Sequence, residues 1–201
     1  NDTIITVANT PPNAPTILSP TSNQYVSSQP LNFQVIATDA DNDALTIYYY
    51  INGVLNQSSL TNTTFNASDG YYILNVSVSD GTATSANTTV NFTLDTTIPI
   101  VNTSLNKSLT NITVNDVINL TANATDETGL SFGQIIVNIS GYKQYFNFSL
   151  NDALTATFSQ NITINVTRGN VINFTARTND TVNNVKTNDT IITVANTPPS
   201  G

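Results

Sequence analysis

The clearest chemical signal in this sequence comes from its asparagines. The pattern Asn-x-Ser/Thr, with x other than proline, is the acceptor for N-linked glycosylation, and it occurs nineteen times, once at Asn1. Positions i and i+2 of a β-strand lie on one face, so a polar face rich in Asn and Thr would also produce the pattern without glycans. We interpret the pattern as N-glycosylation and keep this compositional explanation as the alternative. The other eighteen acceptors are Asn56, Asn62, Asn66, Asn75, Asn87, Asn91, Asn102, Asn106, Asn111, Asn119, Asn123, Asn138, Asn147, Asn161, Asn165, Asn173, Asn179 and Asn188.

A second chemical signal comes from Asp39, Asp41 and Asp43, which alternate along one loop. Carboxylates at this spacing can converge on a calcium ion, which prefers hard oxygen ligands. An EF-hand is excluded because Ala44 replaces the turn glycine and Tyr50 replaces the bidentate glutamate. We interpret the loop as a solvated acidic turn between strands, and calcium binding by Asp39, Asp41 and Asp43 is the alternative.

The other acidic residues give weaker signals. Asp126 and Glu127 form a minor candidate for a metal site in the second half of the chain. Asp39 and Asp80 could be imagined as a carboxylate pair for acid-base catalysis, but no nucleophile, base or cofactor loop accompanies them. We therefore predict that the chain is not an enzyme and has no cofactor apart from calcium.

The composition excludes further functions. The chain has no cysteine and no histidine, which removes disulfides, thiol chemistry and Cys/His metal clusters. Its net charge of -8 argues against nucleic acid as a partner. No apolar run approaches the length that spans a membrane, so no membrane insertion is expected. Solubility must come from uncharged polar groups, since the chain has 31 Asn, 34 Thr and 17 Ser.

The sequence NDTIITVANTPP occurs twice without change, at residues 1–12 and 188–199. Identity over twelve residues at a separation of 187 positions indicates one full repeat of a tandem array plus a short overlap. A short β-rich run is followed by two prolines, which cannot continue a strand ladder because proline lacks an N–H. The predicted organisation is a closing strand and linker of the preceding repeat (1–12), two domains (13–95 and 96–197), and the start of the next linker (198–201).

Apolar and polar residues alternate with period two through most of the chain, which is typical of half-buried strands. The clearest runs are residues 31–37, 72–78, 118–124 and 162–166. Turn signals such as Asn-Gly and Asp-Gly separate the runs, and helical spacing is not sustained anywhere. The predicted fold class is all-β, with two tandem β-sandwich domains.

The stretch ATDADNDALTIYYYING (residues 37–53) resembles the A-x-D-x-D-x-D-x-L-T-Y-x-W-x-x-N-G run of Ig-like and PKD-type tandem repeats from bacterial and archaeal cell-surface proteins. Tyr49 stands where those repeats often carry a core tryptophan. The sequence DGYY, which ends at Tyr72, resembles an immunoglobulin tyrosine corner, with Leu74 at the position of a disulfide cysteine. The resemblance covers most of the first domain and becomes weak in the second. It implies that both sandwiches are Ig-like.

From the repeat and this resemblance we expect a structural repeat of an extracellular, N-glycosylated protein at the cell surface. It would form a filament, stalk or surface layer (S-layer) whose copies join end to end through NDTIITVANTPP. Dense sequons without cysteine would fit an archaeal source. The alternative is an adhesin module that binds a glycan or a host protein through Tyr48, Tyr50 and Tyr71, because exposed aromatic rings stack on sugars.

The two copies of the dodecamer compete for one position. The copy at residues 190–194 should close its own domain, because loop closure is cheaper over a short span. Residues 1–9 would then have no place in their own fold. They would close the preceding repeat in a continuous array or, in separate subunits, complete a neighbouring copy by strand addition. Strands of about 7–10 residues at roughly 3.3 Å per residue predict sandwiches of about 35–45 Å and a repeat of about 70–95 Å.

Overall fold

The computed structural model describes residues 8–196, and these contain strands and turns but no helix. The chain divides into two compact units between Thr96 and Thr97, one residue after the predicted boundary. The strands of unit 1 are β1 (Thr16–Ser19), β2 (Gln24–Val26), β3 (Leu31–Ile36), β4 (Thr46–Ile51), β5 (Val54–Ser59), β6 (Thr63–Phe65), β7 (Gly70–Ser79) and β8 (Thr88–Leu94).

Unit 1 is a sandwich of two sheets. One sheet has the order β1-β3-β6 and is antiparallel. The other has the order β2-β8-β7-β4-β5, in which the short strand β2 pairs parallel with β8 and all other pairs are antiparallel. The alternation in β3 is the predicted one, because its apolar residues are buried and its polar residues are exposed.

The core of unit 1 is aromatic. Phe33 from the smaller sheet stacks on Tyr49 from the larger sheet, with ring centroids 5.7 Å apart, and Tyr49 is fully buried. The Tyr72 hydroxyl donates a hydrogen bond of 2.6 Å to the Ser68 carbonyl, four residues upstream. This contact is the geometry of a tyrosine corner, and Leu74, two residues further on, is fully buried in the core.

Unit 2 is built around two very long strands. Its elements are β9 (Ile100–Leu105), β10 (Val117–Ile139), β11 (Tyr142–Thr163), β12 (Val171–Asp180) and β13 (Val185–Thr193). The first half of β10 pairs with β9 and with the second half of β11. The second half of β10 pairs with the first half of β11 and with β12, and β12 pairs with β13. One hairpin therefore contributes strands to both layers.

The hairpin changes layer where β10 and β11 lose their regular register. Thr125 pairs with Thr155 and Leu130 with Ala153, so residues 126–129 bulge out of β10 opposite one residue of β11. Gly129 adopts φ +115° there, and a Cβ at this position would lie 2.6 Å from the Asp152 carbonyl oxygen. Only glycine fits such a position without a shift of the backbone. We call residues 126–129 the corner loop.

The core of unit 2 lies between the two layers of this folded hairpin. Phe158, on the second half of β11, stacks obliquely on Phe148 of the first half with ring centroids 5.1 Å apart. Phe158 also lies over Gly133 of β10, where a Cβ would be 2.9 Å from the ring. Both layers contribute fully buried aliphatic and aromatic residues, among them Ile118, Leu120, Ile135, Ile172 and Phe174.

The structure differs from the sequence-based prediction in its strand list. The alternation predicted separate short strands in this region, among them residues 118–124 and 162–166. In the structure these runs are parts of the two continuous strands β10 and β11. Strands β2, β5 and β9 were not predicted, because their residues are mostly exposed or half-buried and give no clean alternation.

The second copy of the dodecamer closes unit 2, as predicted. Its residues 190–193 are the end of β13 and pair antiparallel with residues 171–174 of β12. Residues 1–9 of the first copy were predicted to have no place in their own fold, and residues 1–7 of these lie outside the described residues. The prediction is wrong for Asn9, whose side-chain amide donates to Asp80 Oδ2 of unit 1. The end of the first copy is described, and it is part of unit 1.

Candidate functional site

The end of the first dodecamer contacts loops of unit 1. We call residues 8–13 the docking segment. The Asn9 side-chain amide donates to Asp80 Oδ2 at 2.9 Å, and the Thr10 backbone N–H donates to Asp41 Oδ2 at 2.6 Å. Asn13 bonds to Thr38 through both its backbone and its side chain, at 3.0 and 3.1 Å. Hydrogen bonds from backbone and amide groups therefore fix this segment on the loops that follow β3 and β7.

Asp80 is preorganised for this contact. Its Oδ1 accepts the backbone N–H groups of Thr82 and Ala83, each at 2.6 Å, which leaves Oδ2 for Asn9. The Ala83 N–H, the Asn9 amide and the Thr82 N–H together hold the pKa of the Asp80 carboxyl below its usual value. In the sequence Asp80 is only a weak catalytic candidate, and its role in docking is not visible there.

The candidate calcium ligands lie close together. Asp39, Asp41 and Asp43 each have a carboxylate oxygen within 4.8 Å of the others. Asp39 Oδ1 accepts the Asp41 N–H at 2.8 Å and a longer bond from Asp43 N–H at 3.4 Å. Asp39 Oδ2 is buried and has no hydrogen-bond partner in the described part of the chain. The geometry fits hard-cation binding, although Asp41 Oδ2 already accepts the Thr10 N–H.

The sequons fall into two classes by exposure, and none of the eighteen described acceptor asparagines is fully buried. Most exposed acceptors lie on edge strands or loops, where a glycan can leave the surface without meeting a neighbouring strand. The exposed acceptors are Asn56, Asn62, Asn66, Asn87, Asn102, Asn106, Asn111, Asn123, Asn147, Asn161 and Asn165. The half-buried acceptors are Asn75, Asn91, Asn119, Asn138, Asn173, Asn179 and Asn188.

The face of the strand on which an asparagine lies does not by itself separate the exposed from the half-buried acceptors. Asn75 and Asn173 point away from the core, yet they lie on the central strands β7 and β12, and their side-chain oxygens are buried. The Asn119 amide donates to Asn161 at 2.8 Å, and the Asn188 amide donates to the Val101 carbonyl at 3.0 Å. Neighbouring strands therefore cover or engage part of the predicted glycan face.

The predicted aromatic surface is only partly exposed. Tyr71 is 57% exposed, whereas Tyr48 and Tyr50 are half-buried on β4. Tyr25 of β2, which the sequence analysis did not single out, is also 57% exposed. Tyr25 and Tyr71 both pair with Thr93 of β8, one from each side. Two exposed rings therefore flank one threonine on the outer face of the larger sheet.

A shallow cleft adjoins Tyr71 and is also lined by Ser22, Ile73 and Asn91. The Asn91 amide donates to the Tyr71 hydroxyl at 2.7 Å, while Asn91 Oδ1 accepts the Ser22 hydroxyl and the Asn23 N–H, each at 2.9 Å. These bonds hold the floor of the cleft rigid. They also engage both ends of the Asn91 side chain, which is one of the predicted glycan acceptors.

Comparisons with known proteins add information on the fold alone. The sequence matches no protein-family model, and no curated protein has a significantly similar sequence. Solved structures similar to this chain include the fibronectin(III)-like modules of Clostridium thermocellum CbhA, with 16% identity, a TM-score of 0.46, and coverage of 90% of this chain and 94% of that one.

Two further similar structures are an adhesin and a set of immunoglobulin domains. A 1.5-MDa bacterial ice-binding adhesin has 14% identity, a TM-score of 0.44, and coverage of 94% of this chain and 67% of that one. Sidekick-1 immunoglobulin domains 1–4 have 12% identity and a TM-score of 0.46, and the match covers 94% of this chain but about half (51%) of that one. Among residues 8–196 no helix has the length and apolar character needed to cross a membrane. The fold is all-β, with two sandwich units.

Proposed function

We propose that this chain is one repeat of a tandem array in an extracellular, N-glycosylated surface protein, whose copies form a filament, stalk or surface layer. One observation carries the proposal. The same dodecamer performs two structural tasks, since its strand residues close unit 2 at residues 190–193 and its last residues dock on unit 1 through Asn9 and Thr10. In a continuous array, one copy of the dodecamer would perform both tasks at each junction.

The proposed junction can restrict the orientation of one repeat relative to the next. Asn9 and Thr10 dock on Asp80 and Asp41, and Pro12 is buried in unit 1. The two prolines restrict the backbone between the closing strand and the docked contacts. A short, hydrogen-bonded and proline-restricted linker favours a defined orientation over a freely jointed chain. The proposed role is mechanical and needs no catalytic residues.

The glycan coat would protect this surface. Charged residues are only 9% of the chain, and charged side chains are one of the common means of preventing edge strands from pairing with other chains. Exposed acceptors lie on edge strands, including Asn56 on β5, Asn102 on β9 and Asn147 on β11. Glycans at these positions would block edge-to-edge pairing and proteolysis.

A deletion series tests whether the docking segment stabilises unit 1. Removing residues 1–7 takes away only the part assigned to the preceding repeat, so the unfolding temperature of unit 1 should not change. Removing residues 1–10 also deletes the bonds to Asp80 and Asp41 and should lower that temperature by about 4 °C or more. Equal unfolding temperatures for both deletions would contradict the assigned role of the docking segment.

Mass spectrometry of native material tests the proposed N-glycosylation. Glycopeptides should come mainly from the exposed acceptors, with Asn165 as a representative, and only rarely from Asn75 and Asn173, whose side-chain oxygens are buried. An intact mass equal to that of the bare polypeptide would support the compositional explanation of the sequons.

The exposed tyrosine pair favours a second candidate function, an adhesin module that binds glycans. Tyr25 and Tyr71 present two rings on either side of Thr93, beside a cleft held rigid by Asn91. Aromatic faces of this kind stack on sugar rings. Tyr71→Ala should abolish binding in a glycan array, while Tyr142→Ala, which removes an exposed tyrosine from unit 2, should have no effect. An array on which the unaltered chain binds no glycan would exclude this candidate.

A further inference from the structure

The corner loop of unit 2 lies beside the end of strand β12. Leu130, which follows the corner loop, pairs with Asp180, the last residue of β12. The Thr181 backbone N–H donates to the Gly129 carbonyl at 3.0 Å. These contacts bring Asp126, in the corner loop, close to Asp180, although the two residues are 54 positions apart in the chain.

Each of these two carboxylates uses only one of its oxygens for hydrogen bonds. Asp126 Oδ1 accepts the Thr128 N–H and hydroxyl at 2.9 Å and the Gly129 N–H at 3.1 Å. Asp180 Oδ1 accepts the Val182 N–H at 2.8 Å and the Asn184 N–H at 2.9 Å. Both Oδ2 atoms are buried and have no hydrogen-bond partner among residues 8–196.

The unpartnered oxygens are unusual because Asp180 is fully buried. A carboxylate oxygen of Asp126 lies within 4.8 Å of one of Asp180. The described part of the chain has one salt bridge, between Lys107 and Asp116, and it involves neither residue. Two carboxylates this close, with buried oxygens and no cation, repel each other and lose hydration, which is strongly unfavourable.

Unit 1 contains an internal comparison. Asp80 directly follows β7, and Asp180 is the last residue of β12. In both residues Oδ1 accepts two backbone N–H groups of the turn that follows. The Oδ2 of Asp80 also accepts the Asn9 amide, whereas the Oδ2 of Asp180 has no described donor and needs a different partner.

We propose that Asp126 Oδ2 and Asp180 Oδ2 bind a calcium ion in unit 2. Two oxygens that bind one Ca²⁺ at 2.3–2.6 Å lie at most about 5 Å apart, so the observed separation is compatible with shared coordination. The Thr181 hydroxyl, next to Asp180 in the chain, is also buried without a described partner and is a further oxygen donor. Water completes the coordination sphere. The ion cancels the two negative charges and links the corner loop to the end of β12.

Calorimetry on the full 201-residue chain tests this site. A variant with Asp39→Asn, Asp41→Asn and Asp43→Asn removes the three carboxylates of the loop after β3. Calcium that it still binds is held elsewhere, and the further substitutions below assign it. This variant should bind one Ca²⁺. Calcium at 100 times its dissociation constant stabilises the folded state about 100-fold, which raises the unfolding temperature of unit 2 by roughly 10 °C relative to excess chelator. Hydrogen exchange identifies which transition belongs to unit 2.

Further substitutions in the triple variant locate the ion. Asp180→Asn should abolish calcium binding and the chelator effect on unit 2. Asp189→Asn, which removes one exposed carboxylate from the same unit, should leave both unchanged. The proposal is overturned if the triple variant binds no calcium, or if its binding survives Asp180→Asn. Because the first of these outcomes needs no change in unit 2, the test does not depend on Asp180→Asn being able to fold.

Discussion

Gly133→Ala should destabilise unit 2 through a contact that exists only if its hairpin folds onto itself. Gly133 pairs with Phe148 in the sheet, whereas Phe158 pairs with Ala122. The Gly133–Phe158 contact therefore joins the two layers of unit 2. A new Cβ would lie 2.9, 3.0 and 3.1 Å from three ring atoms of Phe158, well below ordinary van der Waals distance. Phe158 is only 4% exposed, so its ring has little room to move.

The expected cost follows from this overlap. Overpacking a buried site by one methyl group costs about 1–3 kcal/mol, which lowers the unfolding temperature of a unit of this size by roughly 5–15 °C. The measurement is thermal unfolding by calorimetry, with the transition of unit 1 as an internal control that should not move.

A double-mutant cycle tests whether the residues at positions 133 and 158 are in contact. Phe158→Leu alone should destabilise unit 2 by about 1 kcal/mol or more, because a buried ring is lost. Combined with Gly133→Ala, it should relieve the overlap, so the double variant should be more stable than the sum of the single effects by at least about 1 kcal/mol. Strict additivity would show that the two residues do not touch and that the layers of unit 2 are arranged differently.

Three other predictions concern single contacts. Tyr72→Phe removes the hydroxyl bond to the Ser68 carbonyl and should destabilise unit 1 by about 1 kcal/mol in denaturant titrations; an unchanged midpoint would contradict a stabilising tyrosine corner. The hydrogen bond from Lys107, together with the Thr113 N–H, lowers the pKa of Asp116, so its contribution to stability is present above the unfolded-state value of about 3.9 and is lost as pH falls through the lower folded-state pKa. Asp116→Asn should flatten the acid dependence of the unit 2 transition, and an unchanged acid profile would argue against this linkage. Chelator should lower the unfolding temperature of unit 1 through residues 39–43, and this response should disappear in the triple Asn variant; a response that persists in that variant would place the calcium elsewhere.

The sequence was most informative where alternation and burial coincide. Period-two patterns correctly placed β3 and β7, and the tyrosine corner at Tyr72 followed from local sequence. Short or exposed strands such as β2 and β5 were missed, since hydrogen bonding to a neighbouring strand, and not side-chain burial, defines them. The bent hairpin was also missed, because a corner leaves two apolar runs that look like separate strands.

The candidate sites show the same limit. Asp39, Asp41 and Asp43 could be named as candidate ligands because residues close in sequence are visible as a pattern. Asp180 was not found, because its proximity to Asp126 depends on the pairing of β10 with β12. One signal was available, since Asp80 and Asp180 both stand where a strand ends and a turn begins. Strand parity placed Asn75 on the outer face, but only the order of strands shows that its side-chain oxygen is covered.

A structure of a polypeptide that contains two consecutive 187-residue repeats would show directly whether the dodecamer joins them. The dodecamer at the junction should close unit 2 of the first repeat and dock on unit 1 of the second. The asparagine at position 196 should then donate to the next Asp80 at about the 2.9 Å that Asn9 shows here. If residues 3–7 instead fold into their own first sandwich, or if Asn196 makes no contact with the second repeat, the proposed junction is wrong.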